Sequence, residues 1–496
     1  MLKPALFALA ILVQPLLGQA TRPATTPASA DHHDVVRVAQ LHQTVDSFGA
    51  SDAWSFQEVG KWDPKLRERV AELLFSREKG IGLSCWRFNV GAGKQSQTIR
   101  DPLRSAETFE VVPGRYDWKR QAGEQWFLRA AKQHGVEQLL AFTNSPPARL
   151  TRSGLTNAGP TSAPTNLEEG AEDDFARYLV DILAHFRAEG LAFDYVSPIN
   201  EPQVPWNQGQ EGCRMDNVTI RKVVLALHDE LKRRGEPTRI VAPESASTEE
   251  MRALSNGPTT RFGYAVGDYI NVICSDPEMA AALNKTICHH IYNAHTGRDL
   301  ITSARTMRER MSRFPDWKIW MSEICIMQRG RDLGMESGLT LARMVHAMMA
   351  IEGAAAFHWW LALSPYDYKD GLLYTDWKKP GDPEGVLESK MLWSFGNFSR
   401  FVRPGWKRVE LTGENHSDTG LMASAYVDPA GGKLAAVYVN LLPEAQRVRL
   451  TVEGMNVGRS SLYITSESKN LERQQLAADG WLEIPARSVV TWLGEK

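Results

Sequence analysis

Residues 193–202, FDYVSPINEP, run apolar until Asn200 and Glu201 and then meet Pro202. A buried strand that ends on a carboxylate, with proline fixing the chain direction just after it, sets a polar group at the mouth of a sheet rather than inside it. The same pattern recurs along the chain. TVDSFGAS (44–51), GLSCWRFNVG (82–91), EQLLAFTNSPP (137–147), TRIVAPES (238–245), CHHIYN (288–293), WKIWMSEIC (317–325) and AAFHWWLAL (355–363) are all short apolar runs closed by polar residues. With the first, they make eight candidates for buried parallel strands.

Helical patterns lie between them, clearest at DPKLRERVAELLFSREKG (63–80), AEDDFARYLVDILAHFRAEG (171–190) and IRKVVLALHDELKRRG (220–235). Each opens on acidic or capping residues and closes on Gly80, Gly190 or Gly235, where a left-handed cap needs no Cβ. Eight such units over residues 46–403 predict an α/β fold, a (β/α)8 TIM barrel with enlarged loops. A doubly wound open sheet is the alternative. It would want a phosphate-binding turn, and NVGAG (89–93) lacks the third glycine and the helix that should follow.

Beyond Arg403 the grammar changes to short, partly alternating runs with no good helix, which predicts a β-sandwich over 404–496. Residues 34–45 alternate similarly and are expected to add an N-terminal strand to it. The first twenty residues, MLKPALFALAILVQPLLGQA, read as an export signal, with Lys3, an apolar stretch and small residues Gly18 and Ala20. Residues 21–33 are expected to be a disordered tail, and the protein to be secreted or periplasmic.

The 496 residues, 43% hydrophobic and 23% charged, suffice for a large core. A formal charge of -2, from 57 basic and 59 acidic side chains, gives no footprint for nucleic acid or an anionic membrane. The expected partner is a neutral polymer such as a polysaccharide or oligosaccharide, met by a monomer. Five cysteines show no metal-binding spacing, and Cys274 and Cys288 are close enough in sequence to bridge a local loop.

In a (β/α)8 barrel the residues closing each strand converge on one mouth. Those residues are Arg87 and Asn89, Asn144, Asn200 and Glu201, Glu244, Tyr292, Glu323 and Trp359. Glu201 ends the fourth strand and Glu323 the seventh, so two carboxylates face each other with no His/Cys metal cluster beside them. That pair is the minimum equipment for glycoside hydrolysis without metal or cofactor. An apolar strand behind Glu201 predicts a drier pocket that favours its protonated form, while Arg87 and Tyr292 beside Glu323 would keep its pKa low. His290 and His358 read as satisfied strand histidines, Glu244 as an ion-pair partner, and Trp86 and Trp320 as core.

SPINEP, WMSEIC, HHIY, WRFNVG and HWWLAL together resemble glycoside hydrolase family 30, over nearly the whole chain. The resemblance implies a retaining enzyme with a barrel and an attached β-sandwich. Carried onto this sequence, it makes Glu201 the acid/base and Glu323 the nucleophile. Asn200 would bind the sugar 2-hydroxyl, Arg87 and Tyr292 would orient Glu323, and Trp359 would form the aromatic floor. FGASDAW (48–54), FTNSPPARLTRSG (142–154) and NEPQVPWNQGQEGC (200–213) are most similar to the endo-β-1,6-galactanase branch. Asn144 stands where many relatives carry tryptophan, and Trp54 and Trp206 are candidate platforms at the rim. The alternatives are another family 30 activity, such as a β-1,6-glucanase, a xylanase or an exo-β-glycosidase, or a non-catalytic carbohydrate-binding barrel.

Overall fold

The computed structural model describes residues 30–161, 163–255, 265–292, 298–477 and 479–496. The expected export signal lies outside them, as does the tail up to residue 29. Residues 30–33 do not belong to a tail. They open strand β1 (Ala30–Thr44), paired from Ala30↔Gln446 to His33↔Arg449, because each backbone group there finds a ladder partner.

The barrel sheet consists of β2 (Ser47–Ser51), β3 (Cys85–Asn89), β4 (Gln138–Phe142), β5 (Tyr195–Ser197), β6 (Arg239–Ile240), β7 (Ala242–Ser245), β8 (Thr286–Ile291), β9 (Lys318–Ile324) and β10 (Ala356–Ser364). All pair in parallel in the order β6-β5-β4-β3-β2-β10-β9-β8-β7. Strands β6 and β7 are one strand broken at Val241, each half holding one neighbour, so the sheet is a nearly closed (β/α)8 barrel. Its interior is filled rather than hollow. Trp320 packs against Tyr195 and His358, with ring centroids 4.7 and 5.7 Å apart. Trp86 points outward into Phe56, Phe75 and Phe127 of the helical layer, so both tryptophans are core as expected.

Helix α1 (Pro64–Phe75) starts on Asp63, whose carboxylate accepts from Lys65 N at 2.9 Å. It stops at Ser76 in an extended conformation, four residues before Gly80. Gly80 is not its left-handed cap. The chain there passes against the last turn so closely that a Cβ would lie 2.1 Å from Glu72 O, which only glycine tolerates. Helix α2 (Asn217–Arg234) does end on left-handed Gly235, at φ 65°.

The second domain is one nine-stranded sheet curled around its own core of Val36, Val409, Leu434, Val448, Ile464 and Trp492. Here β1 pairs antiparallel with β11 (Lys407–Gly413) and parallel with β14 (Gln446–Glu453), so the chain's first strand fastens the domain beside the barrel. The intervening and following strands are β12 (Leu421–Val427), β13 (Lys433–Asn440), β15 (Arg459–Thr465), β16 (Glu472–Gln474), β17 (Leu482–Ile484) and β18 (Ser488–Glu495). The two domains are joined by helix Lys390–Ser399, whose buried Asn397 donates to Tyr463 O and to Thr491 Oγ1, each at 3.0 Å. All five cysteines are buried free thiols. Cys274 and Cys288, near enough in sequence for a local bridge, form none, and each sulfur packs as a small apolar group. Among the described residues no helix is long and apolar enough to cross a membrane.

Candidate active site

Glu201 and Glu244, at the ends of neighbouring strands, both adopt the left-handed conformation, with φ 46° and 56°. The region costs a non-glycine residue of order 1–3 kcal/mol and persists where the surroundings impose it. Here they do. Glu201 N donates to Glu244 O at 2.8 Å, and Glu201 O accepts from Val204 N and from Trp206 Nε1, each at 3.0 Å. The run that breaks at Asn200-Glu201-Pro202 is thus a strand end turned so that its carboxylate enters the mouth.

Across the mouth stands Glu323. Its Oε2 accepts from Arg87 Nη1 at 2.9 Å, and its Oε1 from the Tyr292 hydroxyl. One oxygen each of Glu201 and Glu323 lie within 4.8 Å of one another and of a His290 nitrogen. His290 Nδ1 is 3.2 Å from Glu201 Oε1 and 2.9 Å from the Tyr292 hydroxyl, while Nε2 is 2.7 Å from Glu244 Oε2. Ser322 Oγ also donates to Glu244. Glu201 therefore faces a polar network, not the drier setting expected from the apolar strand.

Two titrations in this network are informative. Burial alone would strip His290 of its second proton, but the charges of Glu323 and Glu244 and hydrogen bonds to Glu201 and Glu244 push its pKa up to about 10. Burial would likewise raise Glu244, yet the hydrogen bond and charge of His290, with Arg87 and Ser322, bring it down to about 2. Glu244 and His290 form a buried ion pair. The ion-pair reading of Glu244 stands, and the bland reading of His290 does not. His358 does fit it, 2.9 Å from Ser47 Oγ and lowered by burial to about 3.

Glu323 departs from expectation. Burial raises its carboxyl above the ordinary range, and Glu201 adds to that, while the His290 and Arg87 charges and the Tyr292 hydrogen bond oppose it without cancelling it. Sequence showed the partners but not the depth. One atom each of Glu201, His290 and Glu323 lies within ligand-sharing distance of the others, and both His290 nitrogens are already engaged, Nδ1 with the Tyr292 hydroxyl at 2.9 Å and Nε2 with Glu244 at 2.7 Å.

The cavity holding these groups has a volume of about 310 Å³ and is lined by Arg104, Asn200, Glu201, Trp206, Gln210, Tyr292, Glu323, Met327 and Trp360. Of the residues expected at the site, Glu201, Glu323, Asn200, Tyr292 and Trp206 line it, with Arg87 directly behind Glu323. Trp206 rests on Gly212, where a Cβ would lie 2.3 Å from the indole. Asn144 does not line the cavity: the side chain is buried, and among the described residues neither amide atom has a partner.

Two tryptophans are placed differently. Trp359 is wholly buried and donates its indole N–H to Asp370 O at 2.7 Å. Trp360, the next residue of the strand, lines the cavity instead. Trp360, not Trp359, is the aromatic wall. Trp54 is 2% exposed and sits behind Trp360, ring centroids 5.5 Å apart, instead of forming a platform at the rim. Both tryptophans of HWWLAL were visible in the sequence. Arg104, at the end of a 3₁₀ turn (Pro102–Arg104), and Met327, in the strand Ile326–Arg329, belong to no motif and were not.

Substituting Glu244→Gln should lower the pKa of His290, because it removes both a charge and a hydrogen bond that hold the imidazolium proton. The midpoint of the His290 titration, followed by NMR of the imidazole, should fall by about one pH unit, the equivalent of about 1.4 kcal/mol. An unchanged midpoint would mean that Glu244 does not hold the charge of His290.

The family model described as "O-Glycosyl hydrolase family 30" matches residues 32–374. An endo-beta-1,6-galactanase of Hypocrea rufa is 27% identical over 222 residues, 39% of this chain and 45% of that protein, so the match spans about half the relative's length. The glucuronoxylanase XynC of Bacillus subtilis (strain 168) is 22% identical over 395 residues, 78% of this chain and 79% of that protein. Among solved structures, a conserved exported protein from Bacteroides fragilis superposes with TM-score 0.85 at 29% identity, covering 93% of this chain and 99% of that one.

Proposed function

Because the chain belongs to O-glycosyl hydrolase family 30, we propose that it is a retaining glycosidase with endo-β-1,6-galactanase-like specificity, exported and acting as a monomer. The observation that carries the mechanism is the approach of Glu201 and Glu323 to within 4.8 Å, with Glu323 held by Arg87 and Tyr292. Retaining enzymes space the pair at about 5–5.5 Å, whereas inverting enzymes leave about 6.5–9.5 Å for a water.

In the first step Glu323 attacks the anomeric carbon while Glu201 gives its proton to the departing glycosidic oxygen, leaving a covalent glycosyl ester. In the second, Glu201 takes a proton from water as that water displaces Glu323, so both residues return to their starting states. Asn200 offers its amide to the 2-hydroxyl, and Trp360 supplies the apolar face for the ring. Tyr292 has a second role in shape. It also lines a neighbouring cavity of about 430 Å³ with Ser247, Glu249, Asp299 and Ser303, which gives room for sugars on both sides of the cleavage point and supports endo action.

Specificity for β-1,6-galactan rests on the Hypocrea rufa relative and the loops that resemble its branch. The test is a product profile on β-1,6-galactan, β-1,6-glucan, glucuronoxylan and aryl β-glycosides. Short galacto-oligosaccharides released early from the first substrate support the reading. Preferential release from glucuronoxylan, or of monosaccharide alone, counts against it. Export is tested by fusing residues 1–20 to a reporter and locating the reporter.

A further inference from the structure

Asp52, Glu124 and Glu211 are wholly buried, and the two-step mechanism uses none of them. They come from three separate segments. Asp52 follows β2, Glu124 stands in the first turn of helix Ala122–Gln133, and Glu211 belongs to the loop 200–213 that carries Trp206 and Gln210 of the cavity wall. Each is fastened to a neighbouring segment. Asp52 Oδ1 accepts from Asn89 N at 2.8 Å, which ties the end of β3 to the end of β2. Gln121 Nε2 donates to Glu124 Oε2 and to Asn89 O, both at 2.8 Å. Glu211 Oε1 accepts from Ala106 N at 2.8 Å, and Glu211 N donates to Arg104 O at 3.0 Å. The loop bearing Trp206 and Gln210 is thereby joined to the loop 90–106 after β3.

The second oxygen of each acid, Asp52 Oδ2, Glu124 Oε1 and Glu211 Oε2, is buried and has no partner among the described residues. A neutral carboxyl fits that setting, with one oxygen accepting and the proton on the other, whereas a buried carboxylate would need partners for both. The facing cations are few. Lys94 faces Glu124 and Glu211, but its ammonium donates to Pro102 O at 2.6 Å, and Glu58 and Glu107 share its charge. Arg87 faces Asp52 and is bonded to Glu323. Burial raises Asp52 and Glu211 to about 8 against the backbone N–H groups and the charges of Arg87 and Lys94, and burial with the charge of Asp52 raises Glu124 well above the carboxylate range. From this arrangement we propose that the three carboxyls form a proton-held brace, positioning residues that keep the Trp206–Gln210 loop against the loop after β3 while they are uncharged. Substrate binding, and not the chemistry at Glu201 and Glu323, is what the brace withdraws when alkaline pH charges it.

The inference rests on the glycosidase reading for its substrate, and the first measurement needs none. Thermal unfolding midpoints of wild type, Glu124→Gln and Glu211→Gln are followed from about pH 4 to about pH 9.5. A carboxyl whose pKa is raised by folding gives stability that is complete at acid pH and is lost as the pH climbs to the folded value, whereas glutamine has no proton to lose. Relative to wild type, the variants should therefore gain about 5 °C as the pH rises to about 8, and gain no more above it. The second measurement is KM on the best substrate among β-1,6-galactan, β-1,6-glucan, glucuronoxylan and aryl β-glycosides. Wild-type KM should rise about tenfold between about pH 7 and about pH 9.5, separately from the fall in kcat as Glu201 loses its proton, and the rise should shrink to about threefold or less in the variants. A midpoint difference that does not change with pH overturns the proposal, as does a flat wild-type KM or an alkaline rise equally large in the variants. Asp52→Asn takes the place of either variant that fails to fold. Absence of cleavage on all four substrates counts against the glycosidase reading, and the midpoints still decide the brace.

Discussion

Glu201→Ala should lower kcat/KM on natural polysaccharide by about 10³-fold, and azide should restore turnover of an aryl glycoside whose leaving group departs without a proton. The reasoning follows from what Glu201 does in each step. With a sugar leaving group, removing the acid stalls formation of the ester. With a good leaving group the ester still forms, and what then fails is deprotonation of the attacking water. Azide is a small anion that needs no base, so it attacks the ester in the space the missing side chain leaves. The product should be a β-glycosyl azide, identifiable by NMR. Equal losses on both substrates, with no azide product, would remove Glu201 from the acid/base role.

Glu323→Gln should have the largest effect, a fall in kcat of about 10⁴-fold or more on every substrate, with no recovery from a better leaving group. An amide cannot form the glycosyl ester, so both steps lose their shared intermediate. The fold should survive. Glutamine keeps one oxygen that can accept from Arg87, and its amide N–H can donate to the Tyr292 hydroxyl, so the position stays hydrogen-bonded while its charge is lost. Thermal unfolding of the variant should remain cooperative and near that of wild type. For the wild type, burial above the ordinary carboxylate range sets the acid limb: activity is present above the raised pKa of Glu323 and is lost as the pH falls through it.

Barrel and site were legible to different depths for physical reasons. Strand ends are written in local sequence, because an apolar run closed by a polar residue has one place to go in a parallel barrel. That is how Glu201, Glu323, Arg87 and Tyr292 could be read directly. Which face a side chain takes is decided by pleat and register, and β10 shifts register between Trp359 and Leu361, so the choice between Trp359 and Trp360 lay beyond the sequence. His290 shows a different limit. Its neighbours come from three strands, and a histidine's charge depends on how many carboxylates the fold brings around it. Gly80 marks a third. A glycine after a helical run suggests a cap, but close passage of a chain against a helix demands the same residue.

The central claim is that Glu323 forms a covalent bond with the substrate in a pocket where Glu201 supplies the proton. A 2-deoxy-2-fluoro glycoside of the preferred sugar, carrying a good leaving group, slows breakdown of that ester so that it accumulates. Peptide mapping by mass spectrometry after brief incubation should find one fluoro-sugar added to the peptide that contains residues 320–325, WMSEIC, with fragmentation placing it on Glu323. A label on any other residue, or a first-formed product of inverted anomeric configuration, would contradict the account.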